Sequence, residues 1–271
     1  MTSVYSFAKY QAIKPVITMG EMAACGQYGP NMVVHKMGYN PSISGTTVED
    51  VWTQGGNYAF PTAAAYPAEM EIASDSADDD GTDASGTGAQ SVTIGYLTTA
   101  GVQKSETVLT NGTAAVATTA TDIWRINSFR VETAGTGLAA AGKIQLREID
   151  NAPVFSAITT GQTRARNMVY TVPAGYGLYI NDIQIASSAA TADKAQARFT
   201  LRGNVNNGVI TTVGLEYPLW ECAVNGGAYS TQLKTPIYVP AGVDLRMKVV
   251  GVATTDAAQV FCEWRGCLIS A

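Results

Sequence analysis

From Ser91 onward the apolar residues recur at every second position, and no long stretch returns to helical spacing. Val92, Ile94 and Tyr96 share one side of a strand, with small or polar residues between them. Phe199 and Leu201 oppose Arg198, Thr200 and Arg202, and Leu245, Met247 and Val249 oppose Asp244, Arg246 and Lys248. Successive side chains of a strand point to opposite faces, so this pattern describes half-buried strands with one wet face. Segments 106–109, 114–118, 123–131, 143–147, 169–172, 178–185, 209–215, 236–239 and 260–269 read the same way. They are joined by turn signals such as Asn111-Gly112, read as a hairpin turn, and lie too close together for helical crossovers. The expected fold class is all-β, built from antiparallel β-sandwich or jelly-roll domains.

An internal echo sharpens this. Tyr170-Thr-Val-Pro-Ala-Gly and Ile237-Tyr-Val-Pro-Ala-Gly each run a strand into Pro-Ala-Gly, after which a strand resumes. Proline presets φ near −65° and glycine accepts positive φ, so each is a strand–turn–strand corner. Two such corners predict related positions in an eight-strand jelly roll.

The chain divides by pattern into three. Residues 1–73 are interrupted by Gly26, Gly29, Pro30, Gly38, Pro41 and Gly45, and predict an extended arm ordered against a neighbour. One short helix is expected there, because Thr47-Val-Glu-Asp is a capping box followed by Val51, Trp52 and the stop Gly55-Gly56. Residues 74–150 open on an acidic loop and continue as a β-sandwich domain. Residues 150–167 look irregular, and 151–271 are expected to form a jelly-roll-like β domain.

Composition excludes several function classes. Charged residues make up 14% of the 271, apolar ones 46%, and the formal net charge is −5. So weakly charged a surface suits a protein packed against other copies or partners. No Lys/Arg run exists to track a phosphate backbone, so no nucleic-acid partner is expected. No apolar run approaches a membrane span or a secretion signal, so no membrane partner is expected and synthesis in a cytoplasm is. The four cysteines, Cys25, Cys222, Cys262 and Cys267, are too sparse for a disulfide scaffold and read as buried free thiols.

Catalytic material is scarce. His35 is the single histidine, no nucleophile elbow is present, and no ligand pair has zinc spacing. Glu216, Glu221 and Glu263 could be named as a glycosidase pair, but nothing in the sequence pairs them. No catalytic residue and no cofactor is therefore expected. The one metal candidate is the loop around Gly81, where Asp78, Asp80 and Asp83 could share a calcium ion; the twelfth position from Asp78 is Ala89, which fails the EF-hand pattern, so a solvated acidic loop is the plainer reading.

The run Val-Val-His-Lys-Met-Gly-Tyr-Asn-Pro (33–41), followed by Glu49-Asp-Val-Trp52, Gly55-Gly56, Tyr58 and Pro61, resembles the start of virion structural proteins of marine tailed bacteriophages. Looser similarity follows at 86–94, 105–116, 227–236 and 240–242. The resemblance implies a β-sandwich or jelly-roll piece of the particle, commonly trimeric, with no catalytic residue. The function expected from it is a cement or decoration protein on the capsid surface of the virion, clamping the major capsid protein and associating with itself as a homotrimer; the alternative is a tail, baseplate or host-binding protein. Val33, His35, Met37, Tyr39, Trp52 and Tyr58 are the expected partner contacts.

Overall fold

The computed structural model describes residues 32–43, 45–61, 68–83, 86–149, 152–189, 196–205, 216–251 and 258–270. They form antiparallel sheets, with no helix among them.

Eight strand positions make a jelly roll. One sheet has the order β1 (Met32–Ile43), β16 (Ala258–Ser270), β11 (Tyr176–Ala189), β14 (Gly227–Val239). The facing sheet runs β10 (Val169–Thr171), β15 (Val243–Gly251), β12 (Gln196–Val205), β13 (Glu216–Asn225), with β2 (Glu49–Asp50) also on β15. β2 and β10 are one strand cut in two. Asp50 and Glu49 pair with Lys248 and Val249, while Val169, Tyr170 and Thr171 continue along the same edge opposite Arg246, Leu245 and Asp244. Val51 and Met168 bridge the cut, since Met168 N donates to Val51 O at 3.0 Å. Counted this way, the strands pair first with eighth, second with seventh, third with sixth and fourth with fifth, which is a long hairpin wound across two sheets.

The alternation lands as the sequence requires. Phe199, Leu201, Leu245, Met247 and Val249 are buried between the sheets with Ile183, Ile185, Cys262 and Trp264. Full burial of each such aliphatic or aromatic side chain contributes about 1.5–3 kcal/mol. The two Pro-Ala-Gly corners are the second-to-third and sixth-to-seventh crossings between sheets. Gly175 and Gly242 adopt φ of 77° and 76°, and the corners lie side by side: Gly242 N donates to Val172 O (2.9 Å) and Val172 N to Val243 O (3.1 Å).

The cut strand receives a second sandwich. β3 (Glu71–Ser74), β6 (Val116–Ala117), β8 (Ile144–Arg147) and β9 (Val154–Ile158) make one sheet in the order β6-β3-β8-β9; β4 (Ala89–Leu97), β5 (Gln103–Leu109) and β7 (Arg125–Ala134) make the other, in the order β5-β4-β7. Its separate core holds Val92, Ile94, Phe129, Ile144, Leu146 and Phe155. Three sequence expectations change here. Residues 32–43 and 49–50, assigned to the arm, are strands of the jelly roll. β9, in the segment read as irregular, belongs to the inserted sandwich, so the jelly roll is discontinuous rather than spanning 151–271. Asn111-Gly112 passes the chain between sheets, because β5 pairs with β4 and β6 with β3.

The capping-box helix does not form either. The Glu49 and Asp50 backbones pair with β15, and their carboxylates close the loop that follows: Gly56 N donates to Glu49 Oε2 (3.0 Å) and Tyr58 N to Asp50 Oδ2 (2.8 Å). Burial pushes the Asp50 carboxyl above its usual range, against the opposing pull of Arg246 and Lys248.

Candidate functional site

The two lateral sides of the jelly roll differ. One side, formed by β1 and the cut strand, is covered by the inserted sandwich. Tyr39 N donates to Arg166 O (3.2 Å), Thr53 Oγ1 to Ala157 O (3.3 Å) and Lys36 Nζ to Asn127 O (2.8 Å). At the centre of this junction the Arg125 guanidinium is buried against Asp244. Its Nε lies 3.1 Å from Oδ1 and its Nη2 3.1 Å from Oδ2, while Nη1 donates to Pro61 O at 2.8 Å. Phe60 and Trp124 flank the guanidinium at 5.1 and 4.3 Å from their ring centres. Asn127 exchanges two hydrogen bonds with the Thr171 backbone, of 2.9 and 2.8 Å.

The opposite side is bare. β13 pairs only with β12 and β14 only with β11 among the described residues. The two edges belong to different sheets and flank the open end of the core. Eight apolar residues pack on that core while only partly buried, and six of them, Leu219, Trp220, Cys222, Val224, Leu233 and Ile237, lie on these two strands. Tyr229 and Tyr238 stand out from β14 at 43% and 51% exposure. Long edge strands with apolar side chains and unpaired backbone groups are ready templates for association. Charge is also divided: β13 carries Glu216 and Glu221 with no cation, and β14 carries Lys234 with no acid.

The expected contact residues are dispersed. Val33 is 60% exposed on β1, and His35, Met37 and Tyr39 follow it on the same strand. Trp52 and Tyr58 are not surface anchors: they form a small core with Phe60 and Val169, stacked edge to face, because the loop after β2 folds back over the cut strand. His35 Nε2 lies 3.3 Å from Glu263 Oε2, which also accepts from Arg265 through Oε1. Glu216 pairs with Arg246 and Arg202, and Glu221 accepts from Thr200, so the three glutamates serve separate partners.

The acidic loop is folded around Asp79 rather than around Asp78, Asp80 and Asp83. No group of three or more His, Cys, Asp or Glu side chains arranged to hold a metal occurs among the described residues. The buried Asp79 carboxylate accepts from Ala89 N (2.7 Å), Ala141 N (2.8 Å), Gly142 N (2.9 Å) and Ser74 Oγ (2.6 Å). Gly88 leaves it room, since a Cβ there would fall 2.2 Å from Oδ1. Asp80 instead binds the Thr82 hydroxyl and N–H, which hold its carboxyl below the usual range. Cys222, Cys262 and Cys267 are free thiols, and burial raises the latter two.

Lys36 carries a testable consequence. Burial of its ammonium lowers its pKa to about 8. The unfolded chain therefore holds this proton between pH 8 and about 10.4 while the folded chain releases it, so stability rises with pH across that window. The melting temperature of the wild type should rise relative to that of Lys36→Met as pH climbs from 7.5 to 10. A constant difference across that range refutes the assignment.

No family model and no curated protein matches this sequence. Among solved structures it is similar to T=1 particles derived from infectious bursal virus, at 12% identity and a TM-score of 0.26 over 89% of this chain and 70% of that one. It is also similar to the VP2 subviral particle of infectious bursal disease virus, at 11% identity and a TM-score of 0.24 over 89% and 72%. An isomalto-dextranase of Arthrobacter globiformis T6 follows at 12% and 0.20, over 88% of this chain and 34% of that one. Proteins of viral particles thus stand among the structural neighbours of this two-sandwich chain.

Proposed function

We propose that the chain is a non-enzymatic structural component of a virus particle, and within that class a cement protein on the capsid surface of a tailed phage. The observation that carries this is the asymmetry of the jelly roll, locked to its own insert on one side and, among the described residues, apolar and unpaired on the other. A neighbour covering β13 and β14 would bury the six half-exposed residues named above, and many weak copies acting together stabilise a shell beyond any one contact. The sequence resemblance at 33–61 supports the phage assignment, and the jelly roll is an architecture that shell proteins use. Self-association as a homotrimer and contact with the major capsid protein belong to this reading.

Quantitative mass spectrometry of purified particles tests it: hundreds of copies support the shell, whereas a handful would move the protein to the tail or host-binding apparatus. Residues 1–31 lie outside the described residues, and removing them tests the expected arm without taking β1 and β2 out of the fold: particle binding should be lost, and retained binding would refute the arm. Edge assembly is tested by Tyr229→Asp with Lys234→Glu, both exposed positions. These changes should weaken self-association or shell binding about tenfold or more while leaving the monomer's melting unchanged, since like charges facing each other across an interface cost several kcal/mol. Unaltered assembly would show that this edge is not the interface.

A further inference from the structure

The inserted sandwich does not close completely on the jelly roll. Between β1 and β7 remains an open cleft of about 310 Å³, at the lower end of the range of small-molecule sites. His35, Lys36, Arg130 and Arg164 line it and no carboxylate does, although the chain as a whole carries a net charge of −5. The acids nearby stand behind the wall and are engaged: Glu263 by His35 and Arg265, Glu132 by Arg130 at 2.9 Å. Of these four, Lys36 and Arg164 have no carboxylate partner among the described residues. At the base of the cleft Asn167 is 5% exposed, and its Nδ2 donates to Ser156 Oγ (2.8 Å) while Oδ1 has no partner. Exchanging the amide's two ends does not remove the vacancy, because the serine hydroxyl serves either end equally.

We infer that this cleft binds an acidic saccharide, a sugar unit carrying a carboxylate or sulfate beside free hydroxyls. The oxyanion meets Lys36 and Arg164 as charge-assisted hydrogen bonds. A hydroxyl of the same unit meets the unpartnered end of the Asn167 amide after a small opening of the cleft floor, since a hydroxyl donates to an oxygen or accepts from an N–H as the amide's orientation requires. Walls of one charge sign also concentrate an anionic ligand before it docks. This is a binding role additional to assembly, and it stands or falls separately from it.

Calorimetric titration of the full chain with a uronic-acid oligosaccharide, a neutral oligosaccharide of equal length, sodium sulfate and an Asp-rich peptide tests it. The uronic-acid oligosaccharide should bind, and the neutral one about tenfold more weakly or less well still. Arg164→Ala removes an exposed side chain and should leave melting unchanged; it and Lys36→Met should each weaken binding about tenfold. Absence of uronate binding at millimolar concentration, binding by either variant as tight as that of the wild type, or stronger binding of sulfate or of the peptide would each overturn the inference.

Discussion

Arg125→Met is expected to destabilise the protein by about 3–5 kcal/mol, because it strands the buried Asp244 carboxylate without its counter-ion. Asp244 would keep the Thr171 hydroxyl at 2.5 Å but lose all three guanidinium bonds. Pro61 O would lose its donor, and Phe60 and Trp124 the cation between them. The damage should fall on the junction rather than on either core, since Arg125 starts β7 of the insert and Asp244 belongs to β15 of the jelly roll. Calorimetry should therefore show the two sandwiches melting separately in the variant. Removing both charges, as Arg125→Met with Asp244→Leu, should recover part of the loss, because the desolvation cost of each ion goes with it. A single mutant within about 1 kcal/mol of wild type would mean that water reaches this pair.

The second large effect is expected at Asp79. Asp79→Ala leaves two buried backbone N–H groups, at Ala89 and Gly142, and the half-buried Ala141 N–H and Ser74 hydroxyl without this acceptor. At about 1–3 kcal/mol for each buried group left unsatisfied, the loss should be on the order of 4 kcal/mol or more. It should concentrate in the inserted sandwich, because Ala89 opens β4 and Ala141 and Gly142 lead into β8. Hydrogen exchange at Ala89 and Gly142 should accelerate before exchange in the jelly roll does. Asp78, one position away and exposed, is the control: Asp78→Ala should stay within about 0.5 kcal/mol. Equal effects at the two positions would refute the structural role given to Asp79.

Asp79 also illustrates what composition hides. The crowded aspartates suggest a cation site in which every carboxylate does the same work. The fold instead turns one of them inward as a hub for backbone amides and leaves its neighbours in turns at the surface. Nothing in the order of residues 75–83 distinguishes the inward one, because its partners at 141 and 142 are brought close by the β3–β8 pairing and Ala89 by the chain's entry into β4 of the facing sheet.

The strands that periodicity located most cleanly are those with one buried face, such as β8 and β15. The strands it missed or shortened are informative in the opposite sense. β13 was not anticipated and β14 only at its end, 236–239, because both faces of these edges are half-exposed and the two-residue signal comes from one-sided burial. Segment 209–215, also read as a strand, lies outside the described residues. β1 was concealed by Gly38 and Pro41, yet it pairs with β16 from Met32 to Asn40. The candidate surface was therefore the least legible part of the chain.

What the sequence determined by itself is the all-β class, the alternating core positions and the two matched Pro-Ala-Gly corners, since each follows from the geometry of a few adjacent residues. Only the tertiary structure decided that one strand is cut to admit a second sandwich, that Arg125 finds Asp244 across the junction, and that no other described strand pairs with the outer edges of β13 and β14. These depend on which strands lie side by side, and alternation is the same whichever neighbour a strand acquires.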